Sequence, residues 1–379
     1  MRLTMRPEDL KEQFGFEFSL KKWNFRLTAE VLLLSGLGVT VIGAIAPQYE
    51  LRQAGGVVLG AALMCAFALW DYRRLAGMGW LLYLGGMGLL LAVNLMGAIS
   101  GGAARWLDVG PLRFQPSELG KLLFILFFAW LPEQNREKLD RLGFLLMVLA
   151  LMAAPVASIL EQPDLSTSVV VSWIFLWLLI LGGISGRWIR RAVLAAVPLM
   201  GVLGYLITRP GQRILSEYQY RRIAAWLNPG EWTQDSYQQR NSIIAIGSGG
   251  LTGKGLENQD PVSILNSGFL PEPHTDFIMA AVGEKLGFAG CCAVILLLAL
   301  IVFECMLTAY RTNDRMGRLI CAGMGAWIGG QAFVNLCVVS GLMPNTGLTL
   351  PFVSYGLTSL VSLYMGVGVV IGVGMRRNG

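Results

Sequence analysis

Long apolar stretches alternate with short polar ones along almost the whole chain. A hydrocarbon core about 30 Å thick needs roughly 20 apolar residues for one α-helix to cross it. Ten stretches come near that length, and the eighth is long enough to tilt or to project from a bilayer. They cover residues 27–46, 53–70, 79–97, 117–132, 142–160, 166–184, 191–208, 276–308, 318–341 and 358–375. The pattern predicts an all-α integral membrane protein, with about ten transmembrane helices in a single domain at 27–375.

Composition supports this interpretation and narrows the classes of function. Of the 379 residues, 54% are hydrophobic and 14% are charged, whereas soluble domains carry about 25% charged residues. The six cysteines all lie in apolar stretches, which argues against a disulfide framework or a zinc site. The net charge of +6 is not gathered in a nucleic-acid-binding patch, so we expect no nucleic-acid partner. The first 26 residues lack the apolar core of a signal peptide.

Lysine and arginine residues indicate which side of the membrane faces the cytoplasm. With the N-terminus inside, the cytoplasmic segments hold most of these residues, and the short outer loops hold only three arginines, Arg105 among them. Ten spans then place both ends of the chain, residues 1–26 and 376–379, in the cytoplasm. The same arrangement places one long polar loop, residues 209–275, outside the membrane between the seventh and eighth helices.

The end of this long loop brings several reactive groups to the start of an apolar stretch. It contains Glu272, His274, Thr275 and Asp276, and His274 is the only histidine of the chain. An ionisable group at a membrane edge is costly to desolvate, so it is a functional hypothesis by default. A structural role is equally open, with Thr275 as a helix N-cap and Asp276 stabilised by the helix dipole. The two roles are not exclusive.

A second pair of charges lies at the start of the fourth apolar stretch. Glu118 and Lys121 are three residues apart and share one face of the predicted helix, near its outer end. A Ser117 cap and the helix dipole would explain Glu118 structurally. Lys121 opposes that dipole and precedes a wholly apolar run, so we expect this pair to have a functional role.

Two further polar stretches separate predicted helices. In residues 161–168, Pro163 ends the fifth helix and Asp164 or Ser166 can cap the sixth, which is a structural role. In residues 341–356, two prolines and repeated glycines interrupt apolar sequence. Such a broken or re-entrant segment is tolerated in a membrane only where protein buries it or where it lines a cavity.

All these polar stretches are predicted on the outer side, where they would line one outward-facing cavity. Its wall would combine carboxylates with four basic residues, Lys121, Arg105, Arg221 and Arg222. Basic groups bind phosphate and a carboxylate can act as a base. The predicted cavity therefore suits a substrate that has a lipid tail in the bilayer and a charged head outside it.

Several ordered motifs resemble the RodA/FtsW/SpoVE family, the SEDS proteins of bacterial elongation, division and sporulation. The resemblance extends from the first predicted helix to the last. The motifs are Arg105-Trp106, Gln115-Pro116-Ser117-Glu118 with Lys121, Gln162-Pro163-Asp164-Leu165, Arg222 before Trp226-Leu227-Asn228-Pro229, Tyr237-Gln238, Gly249-Gly250 to Gly255, the stretch from Pro271 through His274-Thr275-Asp276 to Ile278, Gly283-Glu284 with Leu286-Gly287, and the signature from Gly341 to Ser359.

The resemblance implies an activity, a location and partners. Proteins of that family are peptidoglycan glycosyltransferases of the bacterial cytoplasmic membrane, which polymerise lipid II with a class B penicillin-binding protein and other cell-wall synthesis proteins. Carried over by motif, Asp276 matches the essential acidic residue, and Glu118 and Lys121 match the paired charges. His274 and Thr275, in the same motif as Asp276, are expected to contact substrate. No metal ligand is identified, and a divalent cation is left open as a cofactor.

The implied reaction is glycosyl transfer at the outer membrane face. The 4-hydroxyl of an acceptor GlcNAc attacks C1 of a lipid-linked MurNAc, and undecaprenyl diphosphate leaves. Asp276 would be the general base, while Lys121 and outer-loop arginines would stabilise the departing diphosphate. A single carboxylate favours one displacement with inversion. The alternatives are a lipid II flippase, a non-catalytic scaffold that activates a penicillin-binding protein, and an O-antigen-type ligase.

Three positions depart from the family pattern. Leu357 replaces the second glycine of the usual Ser-Tyr-Gly-Gly, and Asn345 stands where an apolar residue or threonine is common. Lys285 stands where a second glutamate is usual, nine residues after Asp276. That spacing puts Lys285 about half a turn round the predicted helix from Asp276, so we expect no direct effect on the base.

Overall fold

The computed structural model of the chain describes residues 20–100, 103–109, 112–183, 186–207, 215–258 and 260–376. Most of the predicted N-terminal segment, residues 1–19, therefore lies outside the described residues. Residues 377–379 of the predicted tail and residues 209–214 at the start of the predicted long loop also lie outside them.

Helices make up most of the described chain. They are α1 (Phe25–Ile45), α2 (Pro47–Leu69), α3 (Tyr72–Gly77), α4 (Trp80–Met96), α5 (Pro116–Gln134), α6 (Leu142–Glu161), α7 (Leu165–Leu181), α8 (Gly186–Ile207), α9 (Glu217–Leu227), α10 (Thr233–Ser248), α11 (Ile278–Arg311), α12 (Arg315–Val339) and α13 (Leu357–Arg376). Three short strands lie between α4 and α5, namely β1 (Ala98–Ser100), β2 (Ala103–Val109) and β3 (Leu112–Phe114).

Each of the ten apolar stretches coincides with a helix, which confirms the all-α membrane architecture. Within the described ranges, six helices are long and apolar enough to cross a membrane: α1, α2, α6, α11, α12 and α13. The apolar helices α4 and α7 are shorter. The number of spans and the orientation of the chain in the membrane stay predictions.

The small sheet between α4 and α5 is not predicted by the sequence analysis. Strand β2 pairs antiparallel with β1 on one side and with β3 on the other. Helix α5 then begins at Pro116, a residue that suits the first turn because its missing N–H would have no partner there. Arg105 lies on β2, which contacts α5.

The eighth predicted helix is interrupted, which corrects the expectation of one continuous helix that is tilted or projecting. Gly287 has φ +69° and ψ −164°, so α11 consists of two helices that meet at a kink. The kink leaves backbone groups without partners in the helix, and the preceding loop supplies partners for them. Phe288 N–H donates to Gly250 O at 2.9 Å, and Lys254 N–H donates to Glu284 O at 2.9 Å. The Lys254 ammonium also pairs with the buried Glu284 carboxylate at 2.7 Å.

The predicted long loop has helical structure of its own. Ser216 and Gln219 form a capping box at the start of α9. Pro229 lies between α9 and α10, and α10 packs against α11. Gln239 on α10 is buried and donates to Val338 O and Met343 O, both at 2.7 Å. The loop is therefore fixed to the end of α12 and to the segment that follows it.

Helices α12 and α13 are the most buried of the six long apolar helices. Helix α2 lies close against α13 because glycines remove side chains from the contact. A Cβ at Gly368 would lie 2.4 Å from Met64 O, and a Cβ at Gly60 would lie 2.6 Å from the Tyr364 ring. This packing encloses the non-helical segment between α12 and α13.

That segment, residues 341–356, has no regular secondary structure, as its prolines and glycines predict, and it is buried at residues 350–354. Leu350 and Val353 are almost completely inaccessible. Its buried half has hydrogen-bond partners within the segment and on α2: Leu350 N–H donates to Ser354 Oγ at 2.8 Å, and the amide of Gln53 donates to Ser354 O at 3.2 Å. A broken segment of this kind is stable inside a bundle only with such partners.

Candidate active site

Asp276 lies two residues before α11 begins, where the predicted long loop meets the bundle. Its side chain is partly buried. The backbone around it is held by three hydrogen bonds in a row, because each of three consecutive carbonyl groups has a donor. The bonds are Tyr355 N–H to His274 O at 2.8 Å, Ser354 Oγ–H to Thr275 O at 2.6 Å, and Asn335 Nδ2–H to Asp276 O at 2.8 Å.

Burial raises the pKa of the Asp276 carboxyl to about 6, because the ion is costly to desolvate. Arg105 and Arg222 oppose this rise in pKa, whereas Glu272 and Asp164 add to it. The group is mostly ionised at neutral pH, yet it is a stronger base than an exposed aspartate. Such a pKa suits a general base that works near neutral pH.

Gly347 is the point where these charged groups converge. A Cβ at this position would lie 3.3 Å from Oδ2 of Asp276, 3.5 Å from Nη1 of Arg105 and 3.8 Å from Nη1 of Arg222. The glycine has φ +74°, a conformation that favours glycine. The structure therefore brings a carboxylate and two guanidinium groups around one small gap, although they come from three distant parts of the chain.

An open pocket with an empty volume of about 290 Å³ adjoins this gap. Both arginines lie on its wall, and so does the start of the segment between α12 and α13. The lining residues are Arg105, Pro163, Leu165, Ser166, Tyr218, Gln219, Arg222, Ile223, Pro344, Asn345 and Thr346. The pocket thus offers two cations to an anionic ligand beside the Asp276 carboxylate.

Neighbouring groups fix the two arginines without neutralising both of them. Nε of Arg105 lies 3.5 Å from Oδ2 of Asp164. Arg222 donates from Nη1 to Asn345 O at 3.0 Å, and its guanidinium carbon lies 4.3 Å from the centre of the Tyr218 ring. Burial lowers the pKa of Arg222. An anion that entered the pocket would relieve the cost of burying this cation.

Glu118 and Lys121 form the predicted ion pair, with Nζ and Oε1 separated by 2.7 Å. Both residues are buried, with Lys121 only 1% exposed. Lys121 also donates to Oε1 of Gln331 at 2.8 Å and lies 4.9 Å from the Trp327 ring. Lys121 is thus enclosed within the bundle and is not on the pocket wall, contrary to the expectation that it lines the cavity.

Three other predicted site residues occupy different places. Arg221 pairs with Asp235 on α10 at 3.0 Å. His274 is buried and stacks on Tyr49 of α2, with 4.6 Å between ring centres. Burial lowers the pKa of His274, so the ring is neutral at pH 7. The Thr275 hydroxyl donates to Glu272 O at 2.9 Å. None of these three lines the pocket.

The structure corrects two of the expected helix caps and confirms a third. The N-cap of α11 is Phe277, without a side-chain bond, so Thr275 does not cap this helix and Asp276 is not in its first turn. The N-cap of α5 is Gln115, not Ser117. Asp164 caps α7 as predicted, accepting from Thr167 N–H at 3.1 Å. The absence of a cap leaves the Asp276 carboxylate free to face the arginines.

The three departures from the family pattern all have clear contacts. Leu357 packs against Gly56 of α2, where a Cβ would lie 2.6 Å from the leucine methyl carbon. Asn345 donates to Oε1 of Gln238 at 2.9 Å while its carbonyl receives Arg222. Lys285 donates to Asn258 O at 2.8 Å, where the long loop contacts α11 near the Gly287 kink. Lys285 therefore makes its bond away from the base.

Three residues of the site were missed from the sequence, namely Gly347, Gln331 and Asn335. Gln331 and Asn335 are amides within an apolar helix, and that is a signal that could have been used. Gly347 is one of several glycines in its segment and carries no comparable signal. In the described part of the chain, no three His, Cys, Asp or Glu side chains cluster closely enough to hold a metal. The two arginines beside Asp276 can bind an anion.

The apolar helices define a multi-pass membrane protein. An acid and two arginines beside an open pocket form its candidate site. The sequence matches the FtsW/RodA/SpoVE model, described as cell cycle protein, over residues 31–379. It is 31% identical over 372 residues to the probable peptidoglycan glycosyltransferase FtsW of Bacillus subtilis, covering 94% of this chain and 91% of that protein. It is 35% identical over 329 residues to the peptidoglycan glycosyltransferase MrdB of Escherichia coli, covering 86% and 85%.

Solved structures agree with these matches. The fold is similar to the crystal structure of RodA from Thermus thermophilus, with a TM-score of 0.68 and 27% identity over 94% of this chain and 98% of that one. It is also similar to a chain of a peptidoglycan synthase complex, with a TM-score of 0.77 and 28% identity over 93% and 97%. The chain belongs to the FtsW/RodA/SpoVE family and is a multi-pass protein of the cytoplasmic membrane.

Proposed function

We propose that this chain is a peptidoglycan glycosyltransferase that polymerises lipid II into glycan strands at the outer face of the cytoplasmic membrane. Family membership supports the enzyme class, since the relatives named above are peptidoglycan glycosyltransferases. The observation that carries the proposal for this chain is the site itself. A carboxyl group with a pKa of about 6 faces two guanidinium groups across the gap at Gly347.

Asp276 acts as the general base. Its carboxylate accepts the proton of the acceptor 4-hydroxyl as that oxygen attacks C1 of the lipid-linked MurNAc. The bond from C1 to the diphosphate oxygen breaks, and undecaprenyl diphosphate leaves with the electron pair. A base in this position contributes about 10²- to 10⁴-fold to the rate. Because one carboxylate serves the reaction, it is a single displacement that inverts C1.

Arg105 and Arg222 bind the diphosphate of the donor. Both lie on the pocket wall and beside Asp276, as the reaction requires of groups that stabilise the leaving charge. The sequence also predicts this role for Lys121, but its ammonium is enclosed by Glu118, Gln331 and Trp327. We therefore assign the diphosphate to the two arginines.

A class B penicillin-binding protein is the proposed partner. Support comes from the similarity to a chain of a solved peptidoglycan synthase complex, which is described as coordinating polymerization and crosslinking. The same partner is compatible with the scaffold alternative, in which this chain only activates the penicillin-binding protein. A flippase is the other alternative. Neither alternative needs a base at Asp276.

Polymerisation by the purified protein distinguishes these functions. Wild-type protein in proteoliposomes is supplied with lipid II, and glycan strands and released undecaprenyl diphosphate are measured with and without the partner. We expect polymer from the wild type and less than about a hundredth of that rate from Asp276→Asn, given the share expected of a general base. The control is Asp260→Asn, the same change at an exposed position of the loop.

A polymerase, a scaffold and a flippase predict different results in this assay. An Asp276→Asn variant that purifies normally and keeps more than about a tenth of the wild-type rate would refute the general-base role. A scaffold would tolerate the Asp276→Asn change in the complex. A flippase would move lipid II across the membrane without forming polymer.

A further inference from the structure

Two amide side chains on α12 connect the buried ion pair to the proposed base. Gln331 and Asn335 are four residues apart, so they lie one above the other on the same face of the helix. Their exposed fractions are 0% and 1%. A buried amide in an apolar helix needs hydrogen-bond partners, and the partners of these two define what they do.

Asn335 holds the backbone of the base. Its Nδ2 group has two hydrogens and donates to two carbonyl oxygens, that of Asp276 at 2.8 Å and that of Leu348 at 2.6 Å. Its own Oδ1 atom is buried and has no hydrogen-bond partner. Leu348 follows Gly347 directly. One side chain therefore fixes the backbone of both Asp276 and the residue after Gly347.

Gln331 links the ion pair to the segment between α12 and α13 by hydrogen bonds. Its Oε1 accepts two hydrogen bonds, from Lys121 Nζ and from Trp327 Nε1, each at 2.8 Å. Its Nε2 donates to Thr349 O at 3.0 Å and to Thr349 Oγ1 at 3.2 Å. Lys121 and Trp327 together determine which way the amide of Gln331 faces, because the ammonium and the indole N–H can only donate. The oriented amide then binds the residue after Leu348.

We propose that Asn335 and Gln331 are positioning residues that set the Asp276 carboxylate against Arg105 and Arg222. The inference rests on the proposed function. Asn335 acts directly on the backbone of Asp276, and the Glu118–Lys121 ion pair acts through Gln331 on the segment at Leu348 and Thr349. The pair needs no contact with substrate in this role. That explains why a charged pair is retained in the bundle although it does not line the pocket.

The reason for such positioning is geometric. A misplacement of about 1 Å near reacting groups costs about 10²-fold in rate. If Asn335 is removed, the carbonyls of Asp276 and Leu348 both lose a donor, and the backbone turns to find others. The carboxylate then moves relative to the guanidinium groups that lower its pKa. We expect its pKa to rise, and we expect a smaller change at the pocket wall, which Asn335 does not line.

The test compares Asn335→Ala with Gln239→Ala. Gln239 is a matched control, because its buried amide also donates from one nitrogen to two backbone carbonyls at the edge of the same segment. Asn335→Ser, which keeps one donor, replaces the alanine variant if that variant does not fold. For each protein, kcat and KM for lipid II are measured as functions of pH, and thermal unfolding is recorded.

We expect Asn335→Ala to lower kcat by about 10- to 100-fold with KM within about twofold of wild type, and to move the acid limb of the pH profile upward. Gln239→Ala should stay within about threefold of wild type with an unmoved acid limb. Equal losses in the two variants, or an acid limb that stays in place in Asn335→Ala, would overturn the proposal. The wild-type rate reports separately on the proposed function.

A second comparison tests the role of Gln331. If Lys121 acts through Gln331, the double variant Lys121→Met/Gln331→Met should lose no more activity than the worse of the two single variants. Losses that multiply would mean that Lys121 acts independently, which would overturn this part of the proposal.

Discussion

Replacing Gly347 by alanine adds one methyl group where the proposed base and the proposed diphosphate site meet. That methyl would lie 3.3 Å from Oδ2 of Asp276, 3.5 Å from Nη1 of Arg105 and 3.8 Å from Nη1 of Arg222. It would occupy the gap in which a hydroxyl or phosphate oxygen has to sit. The charged groups, the pocket and the rest of the chain would be unchanged in composition.

Two effects of Gly347→Ala have to be separated. The residue has φ +74°, and a left-handed conformation costs a non-glycine residue about 1–2 kcal/mol. This strain lowers the stability of the fold but does not by itself slow the reaction. The methyl in the gap does slow it: a displacement of about 1 Å costs about 10²-fold, equivalent to about 2.7 kcal/mol of transition-state stabilisation.

Gly268→Ala provides the matched control. Gly268 has nearly the same φ, +72°, but a Cβ there would have nothing within 4 Å. We expect similar losses of thermal stability in both variants and a loss of about 10²-fold in the rate of lipid II polymerisation in Gly347→Ala alone. Near-wild-type activity in Gly347→Ala, or equal losses of activity in the two variants, would show that the reaction does not pass through this gap.

Three further predictions concern the ion pair, the stability of the base and the topology. A double-mutant cycle on Glu118 and Lys121 should be strongly non-additive in activity, since either change leaves a buried charge unpaired; additivity would mean separate roles. Because its pKa is higher in the fold than in the unfolded chain, Asp276 contributes stability below about pH 4 that is lost as the pH rises through about 6. Asp276→Asn should therefore raise the thermal unfolding temperature at pH 7.5, and a lower temperature would contradict the burial argument. In a cysteine-free background, an impermeant thiol reagent applied outside should label Gln234→Cys, and Asn313→Cys only after lysis; the reverse pattern would place Asp276 inside.

Much of the fold could be predicted because its signals are local. A run of about twenty apolar residues specifies a spanning helix wherever it occurs, and all ten such runs form helices. The pairing of Glu118 with Lys121 and the Asp164 cap follow from spacings of three residues. The interruption at Gly287 did not follow, because the loop residues that replace its helix bonds lie far earlier in the sequence.

The site could be predicted only in part, since its geometry depends on contacts between distant segments. The sequence indicated Asp276, Arg105 and Arg222 as site residues, and the structure places them around Gly347. The sequence also predicted Lys121 on the cavity wall, because a lysine near the outer end of a helix is expected to face a polar cavity. The amide of Gln331, 210 positions away, encloses Lys121 instead. No pattern of spacing within α5 could reveal that contact.

In the proposed reaction, Asp276 works as a base whose pKa is set by burial and by two arginines. The most direct test is the pH dependence of kcat/KM for lipid II, which reports ionisations of the free enzyme. For the wild type we expect activity to fall below about pH 6, where the carboxyl becomes protonated. Arg222→Gln removes a cation that lowers the pKa of Asp276, so its acid limb should lie at higher pH. A profile that is flat from about pH 5 to 8, or an acid limb unmoved by Arg222→Gln, would contradict this assignment of the base.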